Sequence, residues 1–150
     1  MTQELKAKLL RYANEKEPFS AYNHLEICDG EEGRARIELT MRPESRNRWG
    51  QPHGAILFAL ADVACGIAMA GLRQETCVTV SASMDYMAAA GDADRLIARG
   101  EVTHEGRRTC FCRAEITTAE GRLIAACRSV WTYTGHPLPL EGESNEKNAE

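Results

Sequence analysis

Residues 55–72 read AILFALADVACGIAMAGL, and Asp62 is the only charged side chain among these eighteen. Apolar residues occupy every face, which is the pattern of a helix buried all round, not of an amphipathic surface helix. Eight of the eighteen are Ala or Gly, so another element can approach closely. Pro52 and Gly54 before the run, and Gly71 near its end, punctuate the helix. The run is at the lower length limit for a membrane span and carries an acid at its middle, so it is read as a core helix with no membrane partner. An isolated carboxylate in such surroundings costs several kcal/mol unless it is paired, protonated or wet. Asp62 therefore needs a purpose.

A chain of 150 residues fits one domain around one core. A net charge of −4 offers no electrostatic footprint for nucleic acid. The first twenty residues have mixed charge and no apolar signal-peptide core, so a cytoplasmic protein is expected. The six cysteines (positions 28, 65, 77, 110, 112 and 127) form no C-x-x-C pair and read as reduced, buried, small side chains. Cys110 and Cys112 share one strand face, but their spacing, with His104 nearby, matches no common zinc pattern, and no metal is expected.

Taken in order, residues 2–14 form a short amphipathic helix with Leu5, Leu9, Leu10 and Ala13 on one side, and Pro18 ends it. A short strand is expected at 23–28, a turn-rich loop at 29–33 and an alternating strand at 34–41. After the long helix the period returns to two. Residues 76–87 place Val78, Val80, Ala82, Met84 and Tyr86 on one face and Thr79, Ser81, Ser83 and Asp85 on the other, without saying which face looks inward. Strands at 95–104, 108–118 and 122–134 follow, joined by hairpin turns at 105–107 and 119–121. The organisation is thus a helix and lead at 1–20, a domain at 21–134 and a disordered tail at 135–150. Hairpin-length joins imply an antiparallel sheet of five to six strands, wrapped around one central helix in an α+β fold. A helix apolar all round needs cover beyond the sheet, and a second copy in a two-fold homodimer is the simplest cover.

The backbone N–H groups that open such a helix lack partners and carry its positive dipole end. Gly54 lets a ligand reach them without a Cβ in the way, so a carbonyl oxygen there meets a ready oxyanion site. Asn47 and His53 add side-chain donors or acceptors. Asp62 is a general base for water or a nucleophile. Eight residues separate Gly54 from Asp62, about 12 Å along the axis, too far for one water to bridge. Two antiparallel helices around a two-fold axis bring the Asp62 of one to the Gly54 of the other.

The string Asn47-x-x-Gly50-x-x-His53-Gly54, followed by Leu60-Ala61-Asp62, resembles the signature of hotdog-fold acyl-CoA thioesterases, in the phenylacetic-acid-pathway (PaaI-like) branch. The resemblance covers about residues 20–134. It departs at Ala55, where the family usually has a second glycine. It implies a hotdog fold and hydrolysis of an acyl- or aroyl-CoA thioester to free acid and CoA. It also implies a homodimer, with a dimer of dimers as the larger form, and no cofactor, since coenzyme A is part of the substrate. By resemblance, Gly54 polarises the carbonyl, Asp62 of the other chain activates water or attacks, and Asn47 and His53 orient substrate or water. Thr79 falls where related enzymes place a hydroxyl that helps to hold the water. Ala55, Arg107 and Arg108 are candidates for substrate contact. The rival reading is a hotdog module that binds acyl-CoA without turnover.

Overall fold

The computed structural model describes residues 1–140. Helix α1 (Gln3–Lys16) starts at Thr2, whose Oγ1 accepts from the N–H of Leu5 at 3.2 Å, and buries Leu9 and Ala13. This helix stops at Lys16, where the extended Glu17 precedes Pro18, but Pro18 does more than end it. It opens a second one, α2 (Pro18–Asn23), where its missing N–H costs nothing. Glu17 caps that start by accepting from Ser20 N at 2.7 Å.

Strand β1 (Leu25–Glu31) takes up most of the expected 29–33 loop, leaving only Glu32 and Gly33 to turn into β2 (Arg34–Thr40). The turn needs Gly33 at φ +76°, where a side chain would be strained. A one-turn 3₁₀ segment (Pro43–Ser45) and a loop then lead to α3 (Gly54–Arg73). Strands β3 (Glu75–Tyr86), β4 (Arg95–Glu105), β5 (Thr109–Thr118) and β6 (Leu123–Pro137) complete the chain. β6 thus runs three residues into the stretch expected to be a tail, and positions 141–150 of that stretch lie outside the described residues.

The six strands form one antiparallel sheet in the order β1-β2-β4-β5-β6-β3. Alternation aims Ile37 and Leu39 of β2, Leu96 and Ala98 of β4, and Cys112, Ala114 and Ile116 of β5 inward, all buried. Helix α3 lies across this face and touches all six strands. By length and composition it could cross a membrane, yet 61% of its most apolar window is buried inside the fold. Leu60 and Met69 are fully buried, each contributing about 1.5–3 kcal/mol of apolar transfer. Its small residues are used as expected. A Cβ on Gly100 of β4 would lie 2.5 Å from the carbonyl carbon and oxygen of Ala64, so helix and strand meet backbone to backbone. Gly71 makes a similar approach to the carbonyl of Glu31.

Strand β3 departs from simple alternation where it passes Asp62. The β3–β6 register shifts between Thr79 and Ser81, so Val80 is the extra residue of a bulge. Before it, Cys77 and Thr79 face the helix. After it, Ala82, Met84 and Tyr86 do. Val78 and Val80 point outward, 50% and 61% exposed. The single face expected to hold Val78, Val80 and Ala82 together is therefore split, because one inserted residue reverses the phase of everything beyond it.

Candidate active site

Asp62 sits mid-helix on the side of α3 that the sheet leaves uncovered, half-buried at the wall of a cleft of about 610 Å³. Phe19 of α2, Phe58 and Ala55 of α3, and Trp131 of β6 line the same cleft. The Thr79 hydroxyl donates to Asp62 Oδ1 at 2.7 Å. Burial pushes the Asp62 carboxyl above its ordinary value, and the Thr79 hydrogen bond partly opposes that rise. No arginine, lysine or histidine of the same chain pairs with Asp62 among the described residues. Cys77 also borders the cleft, but burial pushes its thiol up to about 12, which leaves it protonated and a poor nucleophile.

His53 is the N-cap of α3. Its Nδ1 accepts from Ala55 N at 3.0 Å, and its own N–H donates to Ser45 O at 2.9 Å. With Nδ1 accepting, the ring proton is on Nε2, which is left to donate. Ile56 N and Leu57 N both donate to His53 O, at 2.9 and 3.2 Å. Of the first-turn donors, this leaves the N–H of Gly54 without a partner among the described residues. The Tyr86 hydroxyl donates to Gly54 O at 3.1 Å and fastens the helix start to β3. Tyr86 was not legible as a site residue, because a tyrosine near a strand end carries no motif of its own.

Asn47 is used by its own loop. Its Oδ1 accepts from Trp49 N at 3.0 Å and Gln51 N at 3.1 Å, so only its amide nitrogen is left for a ligand. Ala55, in place of a second glycine, turns its methyl into the cleft. Arg107 and Arg108 are exposed in the β4–β5 turn, beside Glu105 and Gly106, which hold Arg73 at the far end of α3. Within one chain they stand about 30 Å from the helix start, the length of the twenty-residue α3. One chain thus gathers Asp62 with Thr79, and separately Gly54 with His53 and Asn47. Among the described residues no cluster of His, Cys, Asp or Glu could hold a metal ion.

A six-stranded antiparallel sheet closed around one long helix, with an open N–H at the helix mouth and a carboxylate on its exposed flank, defines a hotdog-fold enzyme of acyl transfer chemistry. The family model described as the thioesterase superfamily matches residues 50–125, and this chain belongs to that family. It is a PaaI-like thioester hydrolase. The acyl-coenzyme A thioesterase PaaI of Escherichia coli K12 is 27% identical over 104 residues, covering 69% of this chain and 74% of that one. The fold of E. coli PaaI superposes with a TM-score of 0.81 over 89% of this chain and 99% of the other, at 24% identity. A hypothetical thioesterase protein of Streptococcus pneumoniae TIGR4, crystallised with coenzyme A, is 32% identical. It superposes with a TM-score of 0.70, covering 75% of this chain and 90% of that one. That protein has also been crystallised with a threonine, and separately an aspartate, replaced by alanine.

Proposed function

We propose that the protein hydrolyses acyl- or aroyl-CoA thioesters to the free acid and coenzyme A. The work is done at two equivalent sites in a homodimer, each built from Gly54 of one chain and Asp62 of the other. One observation carries this reading: the carboxylate held by Thr79 and the open N–H of Gly54 are separated along their own helix by about 12 Å. Two α3 helices packed antiparallel remove that gap. The unpaired edge of β3 supports such a pairing, since a twelve-residue edge strand displaying Val78 and Val80 invites a copy of itself. The coenzyme A bound to the S. pneumoniae protein supports the choice of thioester.

The thioester carbonyl oxygen accepts from Gly54 N–H, where the helix dipole favours the developing negative charge. Asp62 of the other chain takes a proton from water as the water oxygen bonds to the carbonyl carbon. Thr79 keeps one carboxylate oxygen in place. The tetrahedral intermediate collapses, the C–S bond breaks, and the departing sulfur takes the proton from Asp62. The variant route, attack by Asp62 itself, passes through a mixed anhydride that water then cleaves. Single turnover in ¹⁸O-water detects this route where water attacks the Asp62 carboxyl carbon of the anhydride, since the label then enters Asp62 before the product, whereas direct attack of water on the thioester labels the product. His53 Nε2–H and the Asn47 amide are the further donors at the helix mouth. Antiparallel pairing also carries Arg107 and Arg108 of one chain toward the helix mouth of the other. No cofactor is required, because the chemistry needs only water, a base and an oxyanion site. Six unpaired cysteines agree with a cytoplasmic home.

The test is thiol release from a panel of acyl- and aroyl-CoAs. Asp62→Ala should abolish it with the dimer intact. Saturable binding without thiol release would favour the non-catalytic module.

A further inference from the structure

The loop before α3 presents a large apolar side chain to solvent and fixes it there. Arg46 and Pro52 bridge at its base. Asn47 Oδ1 accepts from Trp49 N and Gln51 N, Asn47 N donates to Gln51 O at 2.8 Å, and Gly50 N donates to Asn47 O at 3.0 Å. Arg46 spans the loop, donating to Gly50 O at 2.7 Å and Ala93 O at 3.3 Å. At the tip of this braced turn Trp49 is 75% exposed, with the Arg48 guanidinium 5.1 Å from its ring centroid. The neighbouring arginines are committed, Arg46 to backbone carbonyls and Arg42 to Glu44 at 3.9 Å. Arg48 has no carboxylate partner among the described residues.

A braced loop that displays an indole and an uncommitted cation fits a ligand that is both flat and anionic. We propose that Trp49 and Arg48 dock the nucleotide end of the coenzyme A thioester, with adenine stacking on the open face of the indole and a phosphate meeting the guanidinium. This rests on the reading of Gly54 as the thioester site. Trp49 precedes Gly54 by five residues, so the tip lies within about 18 Å of the reacting carbonyl even at full extension, and closer with the loop folded back. Coenzyme A leaves the carbonyl through an extended pantetheine arm and ends in its adenosine and phosphates. Asn47 then acts as a positioning residue for Trp49 as well as a donor at the helix mouth.

Kinetics on one acyl group carried by coenzyme A, by 3'-dephospho-coenzyme A and by pantetheine alone separate this contact from the chemistry. Trp49→Ala should raise KM for the coenzyme A thioester by roughly 5- to 100-fold, the range for losing one base stacked on an aromatic ring. It should leave kcat and the pantetheine thioester unaffected, and Trp49→Phe should restore most of the loss. Arg48→Ala should erase the preference for coenzyme A over its dephospho form. Adenosine 3',5'-bisphosphate should quench the tryptophan fluorescence of the wild type saturably, and that of Trp49→Phe not at all. Equal loss on coenzyme A and pantetheine thioesters overturns the proposal, as does a Trp49→Ala protein that falls from dimer to monomer. Absence of thiol release from every thioester, with nucleotide quenching intact, overturns the hydrolase reading and leaves this contact standing.

Discussion

Thr79, on the edge strand β3, donates its hydroxyl proton to Asp62 on the central helix, across 2.7 Å. That bond favours the ionised carboxyl against the burial that disfavours it. Thr79→Val removes the donor at nearly constant volume. The acid limb of kcat/KM against pH should then move to higher pH, with activity at neutral pH falling by roughly 10- to 100-fold, the worth of a hydrogen bond to a charged group. Thr79→Ser should restore both.

Asp62 should also leave a mark on stability. Its folded-state value lies above the ordinary 3.8, so the fold prefers the protonated acid. The stability from this preference is complete below 3.8 and is lost as pH rises through the raised value. Asp62→Asn therefore should be more stable than the wild type at pH 7, with the gap closing in acid, as measured by urea unfolding at both pH values. The same variant should lose activity by roughly 10²- to 10⁴-fold, the usual share of a general base.

Gly54→Pro isolates the oxyanion donor. Proline is well suited to the first position of a helix, and His53 before it is already extended at φ −65° and ψ 136°. A Cβ at Gly54 meets Tyr86 no closer than 3.5 Å. The fold should survive without that one N–H, and kcat should fall by roughly 10²- to 10³-fold. Mixed dimers of Gly54→Pro and Asp62→Ala chains should regain activity, because one of their two sites then has both groups.

Val80→Glu puts a charge on the exposed part of the β3 edge. Size-exclusion chromatography should show a monomer, with native circular dichroism and thiol release lost together. An active monomer would defeat the shared site.

Gly100→Ala tests the seat of the helix. Its methyl has no room against the Ala64 carbonyl, and the neighbour that must give is backbone. Unfolding should show a loss of about 3 kcal/mol or more, at the upper end for overpacking.

The sequence carried the long helix, its lone acid and the alternating strands with hairpin joins, because periodicity and turn chemistry are local. It also carried the motif from Asn47 to Asp62 that marks the family. Pro18 was read only as a stop; that it also opens α2 was missed, since proline suits a helix start as well as a stop, and the Glu17 cap that marks the start is visible only in three dimensions. Neither His53 nor Asn47 could be separated from its bracing role, because a ring nitrogen that caps a helix and one that meets a ligand belong to the same residue. The placement of Thr79 was not legible, since a bulge leaves no composition signal when the extra residue is another valine.

That extra valine changes the parity of the strand. Thr79 and Tyr86 are an odd number of residues apart, and a regular strand sends such a pair to opposite sides. Here both reach α3, one at the acid and the other at the Gly54 carbonyl. A single β-strand thereby clasps both ends of the Gly54–Asp62 stretch of its helix, and deleting one residue from its middle would release one grip or the other.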